Sequence, residues 1–464
     1  MNPPAFPDAA GEAAWRAAVA KVLKGEDFDA RLVTRTLDGI SVQPLYPAAD
    51  APGPTGARPP CRILARLDAD DLPPLEDIEN GADGLVLVFA GASTARGFGL
   101  DVASLDAALA GVELDLLPLR LEPAPFSGLD AVRALLEVAD ARRVPASSLD
   151  LDAGIDPIGS LARTGEAPQP WPALAKLTAE AADLLRERGL AGPLLRADGR
   201  PCHEAGASEA QELAAVVATG LAYLRALDGG GVPLDEARRS LSFLLAADAD
   251  QLLTMAKFRA LRRLWARIET ECGLVAAPLR LHAETSWRMM ARRDPPTNLL
   301  RGALACAGAL MGDADSITVL PHTAPLGLAD SFARRLARNT ALVLRDEAGL
   351  TRVADPGAGS GAIEALTEAL CAEAWDLIGD LDREGGLPAA LANRSWQRRL
   401  AVVRERRAAE LRSGTRAILG TTVYSLAEEG AATVMEPRPP TPPTPAGALP
   451  TLRDDELVET GEAV

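Results

Sequence analysis

The chain alternates between short apolar runs and longer stretches with a helical apolar period. Gly84-Leu-Val-Leu-Val-Phe-Ala90 is the strongest early run and predicts the strand that opens the fold, with Arg62 to Leu67 as a weaker candidate before it. Val112 to Leu119 and Ser147 to Leu151 predict the second and third strands, with a helix over Leu129 to Ala141 between them. Trp171 to Arg188 is a helix leading to the strand Pro193 to Ala197. Ser208, with Gln211 three residues on, forms a capping box before Leu213, Val216, Val217, Leu224 and Leu227, and Gly229-Gly230-Gly231 ends that helix. The unit then repeats. Leu241 to Leu245 is followed by a helix carrying Leu261, Leu264, Trp265 and Ile268. Leu279 to Ala283 precedes a helix over Asn298 to Met311, and Ser316 to Leu320 one through Phe332, Leu336 and Leu342. Arg352 to Asp355 is the expected eighth strand, followed by helices over Ile363 to Leu381 and Arg394 to Arg412. Strand–helix alternation with short links implies a parallel sheet, and its length implies closure into a (β/α)8 barrel of the TIM type.

Flanking segments divide the chain. Residues 1–60 are an N-terminal arm and linker, loose over Met1 to Ala10, helical over Glu12 to Leu23 and rich in Pro, Ala and Gly over Pro47 to Pro60. Residues 61–392 are the barrel and 393–434 a helical C-terminal extension. Residues 435–464, opening on Glu436-Pro-Arg-Pro-Pro-Thr-Pro-Pro-Thr-Pro and ending acidic, are an expected disordered tail.

Composition narrows the function. A net charge of −17 argues against nucleic acid and anionic membranes as partners. No apolar run approaches the ~18 residues of a membrane span. The five cysteines, Cys61, Cys202, Cys272, Cys306 and Cys371, form no CxxC pair, as expected of free thiols in a cytoplasmic protein. Gly91 to Gly99 is a glycine-rich loop without P-loop or dinucleotide spacing. The run Arg259, Arg262, Arg263 and Arg267 is expected to be a solvated helix face, and Asp355 to Gly361 a tight turn.

Several separated motifs, in order, resemble the barrel domain of methylmalonyl-CoA mutases: Glu204-Ala-Gly-Ala-Ser, Leu241-Ser-Phe243, Met255-Ala-Lys-Phe-Arg, Leu281-His-Ala-Glu-Thr-Ser286, Asn298-Leu-Leu-Arg301 and Ala337-Arg-Asn-Thr340. The resemblance runs from about Trp15 to Tyr424 and is greatest to the small-subunit branch of that family. It implies interconversion of methylmalonyl-CoA and succinyl-CoA by radical rearrangement in a two-chain enzyme, with adenosylcobalamin generating the radical. The family's cobalamin domain supplies a histidine from an Asp-x-His-x-x-Gly motif. Here the three histidines, His203, His282 and His322, lie outside any such motif. Adenosylcobalamin is therefore expected on the partner, a large catalytic subunit of a heterodimer that also binds the acyl-CoA, and the arm is expected either to embrace that partner or to pack on its own barrel.

Substrate positions depart from the family too. Catalytic chains carry Tyr-His just before Met-Gln-Glu-Ala-Gly, where this chain has Arg200-Pro201. They carry an arginine where Ser240 stands, and a glutamine where Glu284 follows His282. Proline offers no hydrogen-bonding side chain. A serine cannot clamp a carboxylate bidentately. The resemblance thus implies no catalytic, cofactor-binding or metal-binding residue in this chain, with His282 a core histidine and the barrel axis filled by bulky apolar groups. Two alternatives stay open: an active subunit of different acyl-CoA specificity working with a separate cobalamin-binding chain, and a non-enzymatic assembly factor for the mutase.

Overall fold

The computed structural model describes residues 11–49, 60–427, 430 and 432–459. The expected loose start at residues 1–10 and most of the Pro/Ala/Gly linker lie outside them. Eight parallel strands form the barrel: β1 Arg62–Leu67, β2 Gly84–Val88, β3 Leu119–Glu122, β4 Leu151–Asp152, β5 Leu195–Asp198, β6 Leu241–Ala247, β7 Arg280–Thr285 and β8 Ser316–Thr318. They pair in the order β4-β3-β2-β1-β8-β7-β6-β5, and a parallel bridge between Ile155 and Leu195 closes the ring.

The register has a simple consequence. Pairing brings Arg66 opposite Val86, Val86 opposite Arg120, Arg120 opposite Asp152, Arg196 opposite Ser242, Leu244 opposite His282 and Glu284 opposite Thr318. Even-numbered residues on all eight strands thus share one face, the barrel interior, because side chains alternate along a strand. The odd-numbered set, including Leu67, Leu85, Leu87, Leu119, Leu121, Leu195, Leu245 and Leu281, joins the main apolar core beneath the surrounding helices.

Arg62–Leu67, not Gly84–Ala90, opens the barrel, so each later strand stands one place further on than the apolar runs suggested. Val112 to Leu119 is a turn leading into β3, and Ser147 belongs to a 3₁₀ turn before β4. Both misplacements share a cause: these strands alternate leucine with buried charge and do not show as apolar runs. Arg352 to Asp355 lies in turns; the ring is already complete, and Asp355 (φ 44°) receives Arg259.

The helix Glu209–Gly229 starts with the expected capping box, Ser208 accepting from Gln211 N while Gln211 returns to Ser208 N. It packs beside Gln251–Glu271 and Gly361–Arg383. The arginines on Gln251–Glu271 are no solvated face. Arg259 reaches Asp355 at 2.7 Å and Glu364 at 2.5 Å, Arg263 shares Glu364, Arg262 bonds the Asp313 carbonyl, and Arg267 stacks on Trp375 at 3.8 Å. Arg259, Arg263 and Arg267 dock the helix Gly361–Arg383, and Arg262 the turn after Thr297–Met311.

The arm divides in two. Residues around the antiparallel pair Thr34–Arg35 and Ser41–Val42 pack on the barrel, where Leu37 and Ile40 are buried and Arg406 donates to Leu37 O. The helix Glu12–Leu23 buries no residue at all.

The expected disordered tail is instead, over its described part, a strap across the C-terminal mouth of the barrel. Val434–Pro437 pairs with Gly327–Ala329 beyond β8. The strap then passes Gly97 on the loop after β2, where any Cβ would run into Pro439. It bonds Ala162 O through Leu449 N, Glu204 O through Leu452 N and Arg288 O through Asp454 N. Arg453 and Asp455 are buried and paired at 3.0 Å. Proline richness here serves preorganisation: an extended backbone loses little entropy when anchored. Limited trypsin digestion of the folded protein is expected to spare Arg453, with cleavage there under native conditions contradicting the strap.

Candidate functional site

A barrel of this kind holds its chemistry at the C-terminal ends of its strands. The polar inward side chains along its strands are Arg66 on β1, Arg120 and Glu122 on β3, Asp152 on β4, Arg196 and Asp198 on β5, Ser242 on β6, His282 and Glu284 on β7, and Ser316 and Thr318 on β8. All but Asp198 are buried. The expected apolar filling is limited to a small cluster of Leu64, Val86, Val88, Ala92 and Ala95 on the β1–β2 side and to Leu244 and Ala246 on β6.

Arg200 is the centre of this network. It follows β5 as the first residue of the short helix Arg200–Glu204, and its side chain turns into the barrel. Nη1 donates to Glu122 Oε1 at 2.8 Å and lies 2.9 Å from Glu284 Oε1, while Nε and Nη2 grip Asp198 at 3.0 and 2.6 Å. Glu284 also takes Arg66 at 2.8 Å, and Thr94 closes the second oxygen of Glu122. Two residues further down β5 and β7, Arg196 pairs with Asp152 at 2.6 Å, and Asp152 in turn bonds His282 Nε2 at 2.8 Å. Ser316 takes the other ring nitrogen of His282 at 2.6 Å.

Burial opposes each charge, yet the pairing decides the outcome. Arg200, Arg120 and Arg66 overcome desolvation and hold Glu122 well below the usual carboxylate range. Glu284 is lowered against the same penalty by Arg200 and Arg66. Arg120 is the exception. Desolvation outweighs its partners and pushes its guanidinium down to about 10. Burial also dominates at His282 and lowers it, favouring a neutral imidazole.

The other residues singled out by sequence scatter. Pro201 is buried behind Arg200. His203 faces away from the axis and is saturated, with Glu212 at 2.9 Å on Nδ1 and Ser286 at 2.8 Å on Nε2. Glu212 also receives Lys257 at 2.7 Å. Ser240 sits at the base of β6, at the opposite end from the mouth, between Arg186 and the Glu236 carbonyl. His322 is half-buried after β8. The loop Gly91–Gly99 covers the mouth: Arg96 reaches Glu204 at 3.3 Å and stacks 3.7 Å from the Trp287 ring, with the strap's Arg438 and Arg453 at 4.5 and 5.3 Å from the same ring. The network residues Arg66, Arg120, Glu122, Asp152, Arg196 and Asp198 were not singled out by sequence. Their signal is the alternation Leu119-Arg-Leu-Glu, Leu151-Asp and Leu195-Arg-Ala-Asp, where a strand buried on both faces would ordinarily read as continuously apolar.

The model of the methylmalonyl-CoA mutase family matches residues 91–441. The chain belongs to the methylmalonyl-CoA mutase family. It is 40% identical over 98% of its length to the methylmalonyl-CoA mutase small subunit of Streptomyces virginiae, of which it covers 76%. It is 34% identical to the small subunit from Propionibacterium freudenreichii subsp. shermanii, over 92% of this chain and 69% of that one. A methylmalonyl-CoA mutase from Cereibacter sphaeroides is 30% identical over 90% of this chain and 64% of its own. Against the family's catalytic pattern the geometry acquires a meaning: the departures at the tyrosine position and at the glutamine position, Arg200 and Glu284, touch each other.

Two of the three histidines of this mutase-family chain, His203 and His282, do not fit as ligands for the cobalt of adenosylcobalamin. A cobalt ligand needs a histidine with a free nitrogen, and both nitrogens of His203 and of His282 are taken by buried partners. His322 Nδ1 is buried and has no hydrogen-bond partner among the described residues. No helix among the described residues is long and apolar enough to cross a membrane.

Proposed function

We propose that this chain is the non-catalytic small subunit of a heterodimeric, adenosylcobalamin-dependent methylmalonyl-CoA mutase. The partner, a large subunit, carries the cofactor and binds the acyl-CoA, and this chain stabilises it. The observation that carries the proposal is the Arg200–Glu284 pair at 2.9 Å. Two residue changes that would each damage a substrate site compensate one another inside the barrel, as expected when the interior serves folding alone. An acyl-CoA threaded along the axis would have to displace both side chains, taking from Asp198 its guanidinium partner and from Glu122 its shortest one. The name small subunit, carried by the relatives from Streptomyces and Propionibacterium, agrees with this division of labour. The test is an assay of methylmalonyl-CoA conversion with adenosylcobalamin on each purified chain and on the pair. Turnover by this chain alone refutes the proposal, as does a large chain that is fully active and stable without it.

The arm supplies the interface. Its helix Glu12–Leu23 buries nothing in its own chain, and Val22 is 78% exposed. Trp15 meets Phe28 edge-on at 6.0 Å, so the segment keeps an ordered apolar face without a barrel beneath it. Deleting residues 1–33 is expected to leave the unfolding midpoint of the isolated chain unchanged and to weaken the heterodimer by at least about tenfold, the scale of losing one buried aromatic anchor. Surface plasmon resonance against the large subunit checks this; unchanged affinity would move the interface elsewhere.

A further inference from the structure

A cavity of about 480 Å³ opens beside the ends of β3, β4 and β5, within the ~300–1,000 Å³ range of small-molecule sites. Its walls are apolar: Phe126 and Leu129 after β3, Ile155 after β4, and Leu174, Leu177 and Leu184 along the helix Trp171–Glu187. Leu177 and Leu184 keep 46% and 40% of their surface exposed, although both face a cavity. Phe126 is held at φ 60°, a costly conformation for an aromatic residue, with its N–H donating to Ser160 Oγ at 3.1 Å.

The inner end decides what the cavity can take. Every cation lining it is already engaged. Arg163 is spent on Glu204 and Thr451, Arg196 on Asp152 and the Leu121 carbonyl, and Arg200 on Asp198, Glu122 and Glu284. The Nε of Arg196 has no partner but is buried. Asp156, which caps the helix Pro157–Thr164, is different. Its Oδ1 accepts from the Tyr223 hydroxyl and from Gly159 N at 2.8 Å, while its Oδ2 accepts no hydrogen bond among the described residues. The spare capacity at this end is therefore an acceptor.

We propose that this cavity binds an amphipathic amine, its alkyl or aryl body against the leucines and Phe126 and its ammonium group on Asp156. An anionic head, the type carried by acyl-CoA, finds no free cation here and faces Asp156, Asp198 and Glu122. Desolvation first, and then the neighbouring Asp198, push the Asp156 carboxyl up to about 7, against the opposing pull of the Tyr223 hydroxyl, Gly159 N and Arg196. A bound ammonium relieves that repulsion, so its affinity rises as pH increases through 7 and Asp156 ionises.

Isothermal titration of the full chain with n-hexylammonium, n-hexanol and hexanoate tests this. At pH 8 the ammonium is expected to bind on the order of tenfold more tightly than the alcohol, the scale of one charge-assisted hydrogen bond, and hexanoate more weakly than either. The ammonium's advantage shrinks at pH 6. Asp156→Asn is expected to bring the ammonium to the level of the alcohol while the alcohol is unaffected. Should that variant fail to fold, Leu177→Gln with Leu184→Gln, both exposed positions, is expected to weaken ammonium and alcohol alike. Hexanoate binding as well as the ammonium, an ammonium advantage surviving Asp156→Asn, no effect of the leucine pair, or no binding of any of the three would overturn the assignment.

Discussion

Arg200→Met is expected to destabilise the chain by about 3–5 kcal/mol, the range for removing one member of a buried ion pair. Methionine matches the aliphatic stem, so the loss is electrostatic and not a cavity. It strands Glu122, Asp198 and Glu284, which together spend five oxygen contacts on this one guanidinium. Arg66 still holds Glu284 at 2.8 Å and Arg120 lies 3.4 Å from Glu122, so the network is weakened and not abolished. The double-mutant cycle separates pairing from packing. Glu284→Gln alone removes a partner of Arg200, but in the Arg200→Met background it removes a charge that Arg66 alone holds closely and should restore part of the loss. Urea unfolding measures all four proteins. Strict additivity of the two changes would mean that the pair at 2.9 Å contributes nothing.

The helices and the larger strands were legible because their signals are local. The capping box at Ser208, the face of Leu261, Leu264, Trp265 and Ile268, and the runs at β2 and β6 needed no knowledge of the rest of the fold. What failed was the inference from burial to apolarity. β3, β4, β5 and β7 are buried on both faces, yet their inward positions are Arg120, Glu122, Asp152, Arg196, Asp198, His282 and Glu284. Such strands look amphipathic and were placed several residues early or expected to be filled with hydrocarbon. The compensation between Arg200 and Glu284 was illegible for a different reason. The two stand 84 residues apart, and each alone looks like a lost function; only the closed ring brings them together. The strap was misjudged from composition: prolines and acidic residues suggest disorder, while the anchors at Leu449, Leu452 and Asp454 are backbone amides that any sequence carries.

Acid should undo this fold sooner than its apolar core implies. Burial raises Glu204, but Arg163 at 2.6 Å and Arg96 at 3.3 Å outweigh it and bring the carboxyl down to about 2. Lys257 and His203 do the same for Glu212, also to about 2. Glu122 and Glu284 are lowered as well. A carboxylate whose folded value is depressed gives stability that is fully present above its unfolded value of about 4.3 and is lost as pH falls through the folded value. Glu204 and Glu212 therefore each contribute on the order of 3 kcal/mol near neutrality, fading between about pH 5 and 2. Asp156 and Asp38 act in the opposite sense. Burial, with Asp198 and Glu209 respectively, raises them to about 7 and about 6. Folding favours their protonated forms, so that part of the stability is full below their unfolded value of about 3.9 and is lost progressively as pH rises from there through their folded values. The two sets place the maximum at about pH 4 to 5, around the unfolded carboxylate values where the opposing slopes meet. Urea midpoints from pH 8 to pH 3 should rise slightly, peak there and then collapse. Glu204→Gln should flatten the acid limb by about one proton, roughly 1.4 kcal/mol per pH unit. A midpoint that stays level from pH 5 to pH 3 would show that the interior charges are not held ionised by their partners.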